Sequence, residues 1–192
     1  MMLKDLIKKS RSYRRFDENK KISKQTLKDL IDLARLGPSA ANRQPLKYII
    51  TNDKKTNDNL FEDLSWAGYI KDWAGPQKGE RPSAYIIMLG DKDIAENFWD
   101  DPGIAAQNIM LGAAEKELGG CILGALDKDN IRDKLNIDNK YDILYVLALG
   151  KPKEKVKIES TKETGNIKYW RDDNDIHHVP KRELSELIIK EY

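Results

Sequence analysis

The chain has 192 residues and a net charge of +2, from 34 basic and 32 acidic side chains, and 40 % of its residues are apolar. That length can bury a sizeable core in one domain over residues 1–192, and so small a net charge gives no reason to expect a nucleic acid or a membrane surface as partner. The sequence holds no apolar run near the ~20 residues of a bilayer crossing and no signal-peptide core, and its single cysteine, Cys121, excludes an intrachain disulfide and fits a reducing cytoplasm.

Leu3, Leu6 and Ile7 give a short first helix that ends before the basic stretch SRSYRRF (10–16). Ser23 is a good N-cap for a second helix, in which Leu27, Leu30, Ile31 and Ala34 recur at helical spacing. Gly37 ends that helix and Pro38 forbids its continuation. Before the strand KYIIT (47–51) comes GPSAANRQPL (37–46), a hydrogen-bond-rich connection longer than a turn requires. Such a loop suits the holding of something polar and flat.

TNDNLFEDL (56–64) reads as a helix, and residues 65–83, with glycines, prolines and two tryptophans, as an ordered loop or short helix rather than a linker. AYIIMLGD (84–91) is apolar on both faces and therefore a central strand. The spacing predicts a helix over 101–119, capped by Asp101, with Pro102 in its first turn and Gly119 at its end. It is apolar around most of its circumference, so it needs a second burying surface. A partner subunit would serve, with Gly112, Ala113 and Ala114 allowing close approach.

CILGAL (121–126) and ILYVLALG (143–150) read as strands, with KDNIRDKLNI (128–137) a helix between them. After Lys151 follows a polar tail ending in a short helix marked by Leu184, Leu187 and Ile188. A tail without a core of its own either crosses the surface or wraps a neighbour. Helices and strands intermingle, which makes the class α+β in three layers.

The chemistry is narrowed mainly by exclusion. His177 and His178 are adjacent and the cysteine is remote, so no metal-ligand spacing is present. There is no G-x-S-x-G, and Gly119, Gly120 and Gly124 precede a strand, the reverse of a phosphate-cradling strand-loop-helix order. Three arginines remain, Arg11, Arg14 and Arg15, with a second basic pair, Lys181 and Arg182, near the other end. On spacing alone they make a solvated basic face, yet paired guanidiniums with a serine also bind a phosphate dianion well.

Together these pieces resemble the FMN-dependent nitroreductase family. RSYRRF resembles the family's Arg-Ser-x-Arg-x-Phe signature and PSAANRQP its Pro-Ser-x-x-Asn-x-Gln-Pro loop. Helix 101–119 with LGGCILGALD resembles the segment that follows, and HVPKREL the closing basic motif. The resemblance spans nearly the whole chain in order. It departs at Leu46, where the family often has tryptophan, and over residues 65–100, where nothing maps.

The resemblance implies a three-layer α/β/α sandwich and an intertwined homodimer with FMN at the subunit interface, residues 151–192 wrapping the partner. Arg11, Ser12 and Arg14, with Lys181 and Arg182, would hold the FMN phosphate and ribityl chain. Pro38, Ser39, Ala40 and Asn42 of the other subunit would line the flavin, with Gln44 near them. Leu123 and Gly124 would present backbone near the flavin N5 edge. The flavin carries the chemistry in this family, with NADH or NADPH as donor and a nitroaromatic, quinone or similar small molecule as acceptor, so no catalytic side chain is expected. Trp66, Trp73 and Trp99 fit core packing better than a roof over the flavin. A flavin-sequestering protein of the same fold is the alternative, and a phosphoryl-ligand or RNA-binding module using the five basic residues a remoter one.

Overall fold

All eight residues of strand β3 (Ala84–Asp91) are buried, as a run apolar on both faces requires. The structure, a computed structural model, describes residues 2–192. β3 lies between β2 (Leu46–Thr51) and β5 (Tyr141–Pro152), antiparallel to both. The far edge of β5 pairs with β4 (Gly119–Leu123) and, at its end, with β1 (Phe16–Asp17).

Alternation along the strands divides the core into two layers. Ile86 and Met88 of β3 and Leu147 of β5 pack against α2 (Lys24–Arg35) and α4 (Asp101–Glu115). Tyr85 and Ile87 of β3 and Ala148 of β5 face Leu60 of α3 (Lys54–Phe61) and Ile131 of α5 (Lys128–Leu135). Helices thus cover both faces of an antiparallel sheet, the three-layer sandwich that the sequence implied. Ser23 caps α2 by accepting from the Thr26 amide, and α1 (Leu3–Lys9) lies at the start of the chain.

Helix α4 departs from its expected bounds at both ends. Asp100 is its N-cap and Asp101 falls inside the first turn, so the Asp101 carboxylate is free to act elsewhere. The helix ends at Glu115 because Gly119 and Gly120 belong to a strand rather than to a helix stop. A Cβ at Gly119 would lie 2.4 Å from the Tyr13 ring, and one at Gly120 would lie 2.5 Å from the Ala148 carbonyl oxygen. The glycines permit close approach. The second burying surface of α4 is supplied by α2 of the same chain: a Cβ at Gly112 would meet the Leu33 side chain at 2.3 Å. Asn108 of α4 adds a bond, its Nδ2 donating to the Leu33 carbonyl at 3.2 Å.

The segment after β5 is more ordered than a tail. β6 (Lys155–Ser160) pairs parallel to β8 (Ile176–Lys181), and β7 (Trp170–Arg171) pairs antiparallel to β8. Short helices α6 (Thr161–Thr164) and α7 (Leu184–Leu187) flank this second sheet. Polar clamps hold it. Glu154, its side chain fully buried, accepts from Arg171 Nη2 at 3.1 Å and from the backbone N–H groups of Arg14 and Arg15. His178 lies between Glu159 at 2.6 Å and Asp172 at 3.1 Å, with its ring stacked on Trp170.

Trp66 is buried in the core and Trp73 packs partly against it, whereas Trp99 is 73 % exposed. Among the described residues no helix is long and apolar enough to cross a membrane.

Candidate functional site

The stretch Ser10–Arg15 runs between α1 and β1 along the edge of the main sheet, where the Tyr13 amide donates to the Gly120 carbonyl at 2.9 Å. Strand β8 returns from the far end of the chain to the same place. The result is a cleft of about 330 Å³ lined by Arg11, Ser12 and Arg14 from one terminus and His177 and Lys181 from the other, with Gln107 and Tyr169 beside them. Among the described residues no acidic one lines it.

Two of its three cations are partly committed inside the chain. Arg11 Nη2 donates to the Ile7 carbonyl at 2.7 Å. Arg14 lies 4.9 Å over the Tyr169 ring and donates through Nη1 to the Ser12 carbonyl at 3.3 Å. Both keep a buried Nε without a partner among the described residues. Orphaned buried donors cost free energy unless something accepts from them. A phosphate supplies that acceptor, so the donor set fits a phosphate ester.

Neighbouring arginines have different fates. Arg15 gives a fork of bonds to Glu80 at 2.7 and 2.8 Å and pairs with Asp175 at 3.0 Å, so it is spent on structure. Arg182 also lies outside the cleft and pairs with Glu186 at 3.5 Å. Lys181 alone of the closing basic pair lines the cleft. His177, which the sequence left in a polar tail, is 1 % exposed and lines it too. Burial, with the charges of Arg14, Arg171 and His178, pushes its pKa down to about 4, so the ring is neutral near pH 7.

Pro38, Ser39 and Gln44 line a second cleft of about 310 Å³, together with Tyr48 and Asp101. Asp101 organises the loop. Its carboxylate accepts from the Ser39 hydroxyl at 2.5 Å and from the Ala40 amide at 2.8 Å. Ser39 Oγ in turn accepts from the Gln44 amide at 2.9 Å. Burial first, and Asp101 second, raise the Tyr48 hydroxyl to about 12, so it stays protonated. Sequence reading missed Asp101 because its partners lie some sixty residues away and a carboxylate at a helix start already has a bland explanation as a cap.

The loop is strained as well as bonded. Ala41, Asn42 and Gln44 have φ of 49°, 54° and 52°, a left-handed conformation uncommon outside glycine. Backbone of this kind is held in place by its surroundings and clusters at ligand clamps. Ala40 lines a smaller cleft of about 250 Å³ beside Trp99, and Asn42 is exposed. Leu123 is buried at the end of β4, and Gly124 is exposed just beyond it. Within one chain, then, the basic residues and the Pro38–Gln44 loop line different clefts.

Residues 7–151 match the nitroreductase family. YodC of Bacillus subtilis (strain 168), whose name carries NAD(P)H nitroreductase as a provisional activity, is 26 % identical over 180 residues, covering 77 % of this chain and 88 % of that protein. The crystal structure of a nitroreductase family protein from Streptococcus pneumoniae TIGR4 superimposes with a TM-score of 0.71 at 18 % identity, covering 99 % of this chain and all of that one. An FMN-dependent nitroreductase from Clostridium difficile R20291 gives a TM-score of 0.64 at 24 % identity over 78 % of this chain and 85 % of that one. At such identities the two structures speak for the fold alone.

Proposed function

The chain belongs to the nitroreductase family, and on that premise we propose that it is an FMN-dependent oxidoreductase that draws on NADH or NADPH and reduces small acceptors such as nitroaromatics or quinones. The observation that carries this reading is the basic cleft. Its donors come from both ends of the chain, and among the described residues no carboxylate lines it and two buried guanidinium N–H groups lack an acceptor.

Arg11, Arg14 and Lys181 would neutralise a phosphate dianion, and the Ser12 hydroxyl would give a further bond. When bound, FMN supplies the redox chemistry by accepting a hydride and passing electrons on. The side chains would bind, orient and shield. NAD(P)H in the name of YodC supports the donor, and the phosphate-fitting donor set of the basic cleft supports FMN.

The working unit in this reading is a homodimer. The Pro38–Gln44 loop is bonded and strained as a clamp would be, yet it lines a cleft apart from the cations. A second copy that brings its own loop to the basic cleft completes a site for an isoalloxazine. Leu3, Leu36 and Ile189 are 67, 66 and 98 % exposed in one chain and supply apolar surface for such an interface.

The test begins with the visible spectrum of the purified protein before and after FMN. A colourless protein that takes up no FMN overturns the proposal. Bleaching by NADH or NADPH, followed by turnover with a quinone or nitro acceptor, is the expected result. FMN uptake without turnover would leave a sequestering protein instead. Light scattering should give twice the chain mass.

A further inference from the structure

Arg14 is held at both ends by residues from the C-terminal part of the chain. Its backbone N–H donates to the Glu154 carboxylate, and its Nη1 lies 3.2 Å from Nε2 of His177. A guanidinium has only donors, so Nε2 must accept and the ring proton must sit on Nδ1. That Nδ1–H is buried and has no partner among the described residues. The imidazole therefore gives up one of its own hydrogen bonds in order to face the arginine.

The acceptor is also rigid. His177 sits within β8, paired to Val156 of β6 on one side and to Arg171 of β7 on the other. Its ring lies 5.2 Å from that of Tyr169, which in turn carries the Arg14 guanidinium on its face at 4.9 Å. Imidazole and phenol ring together hold a side chain that would otherwise sample many rotamers. Ordering such a side chain before the ligand arrives removes that cost from binding. The neutrality of the ring, forced by its burial and by the surrounding cations, keeps Nε2 available as an acceptor.

We propose that His177 is a positioning residue for the phosphate end of the site: it presets the Arg14 guanidinium, so that a phosphate monoester meets donors already in place, and it thereby sets the preference for FMN over riboflavin. This rests on the flavin reading above. His177 has no need to touch the ligand for this role. Its effect passes through Arg14, so it should appear only with a flavin that carries phosphate.

The test uses the full chain with His177→Phe, which keeps a ring against Tyr169 and removes the acceptor, and His177→Gln, which restores an acceptor oxygen. Each is titrated with FMN and with riboflavin by quenching of flavin fluorescence, and each ligand-free variant is melted as a folding control. His177→Phe should lose about tenfold in FMN affinity while riboflavin changes by less than about twofold, and His177→Gln should recover most of the loss. Should the phenylalanine variant show no cooperative melting, His177→Met replaces it. Unchanged FMN affinity in the acceptor-less variant, equal losses for both flavins, or no recovery with glutamine would each overturn the role of His177. A wild-type chain that binds neither flavin would overturn the flavin reading together with this one.

Discussion

The two sheets of this molecule are held by different forces. In the five-stranded sheet, β3 is buried at every residue and alternate side chains pack into two apolar layers. In the three-stranded sheet, all strands but β8 are largely open, and the ties are Glu154 to Arg171 and His178 to Glu159 and Asp172. Apolar burial is non-directional and scales with area, whereas a buried ion pair depends on both partners being present and charged. The first sheet should therefore resist changes of pH and salt that disturb the second, and the basic cleft lies where the two meet.

The comparison can be tested in order of expected effect. Ile87→Ala, at a fully buried position of β3, should cost about 4 kcal/mol of global stability by chemical denaturation. A loss below about 1 kcal/mol would mean that β3 is not the centre of the apolar core. Glu154→Ala should cost about 3 kcal/mol, because it leaves Arg171 and two backbone donors unpaired. Hydrogen exchange should show that loss concentrated in β6, β7 and β8, and equal deprotection of β3 would erase the distinction between the sheets. Asp101→Ala should cost about 2 kcal/mol and loosen residues 39–44, since the Ser39 hydroxyl and Ala40 amide lose their acceptor.

The smallest effects are titrations of opposite sign. The hydrogen bonds from Arg15, with help from Lys153 and against burial, hold Glu80 down at about 2, below its usual 4.5. A depressed carboxylate stabilises the fold above its ordinary pKa and loses that contribution as pH falls toward 2. For His178, burial works downward, but the bonds to Glu159 and Asp172 outweigh it and raise the pKa above 6.5. Its contribution is complete below 6.5 and is lost as pH rises through the raised value. Protection factors in β6 and β8 should therefore fall as pH rises through that raised value while those in β3 hold steady.

How much of this was legible in the sequence follows the same division. Strands β2, β3 and β5 and helix α2 could be read because their residues are chosen by burial, which leaves a short apolar run for a strand and a period of 3.6 for a helix. The second sheet left only the short alternation of Val156 and Ile158, neither fully buried, since its strands are held mainly by polar partners elsewhere in the chain, such as Arg14 for His177 and Glu154 for Arg171. The cleft was half legible. Arg11, Arg14 and Lys181 stood out as cations, but nothing local separates Arg14, which lines the cleft, from Arg15, which Glu80 consumes. Gly119 and Gly120 were misread for a related reason: what demands glycine there is the Tyr13 ring from the stretch before β1 and the Ala148 carbonyl of β5.

Gly112 has a reach that its position conceals. By letting α2 settle against α4 it fixes the distance between the two helices, and the Pro38–Gln44 loop starts from the end of one while it is tethered to Asp101 at the head of the other. A methyl group added at Gly112 would drive the tips of Leu33 and Leu30 out of the seam between the helices from which the loop hangs, although none of the loop's own atoms had changed. The shape of the Pro38–Gln44 loop thus has a fine adjustment buried between two helices, well removed from the loop itself.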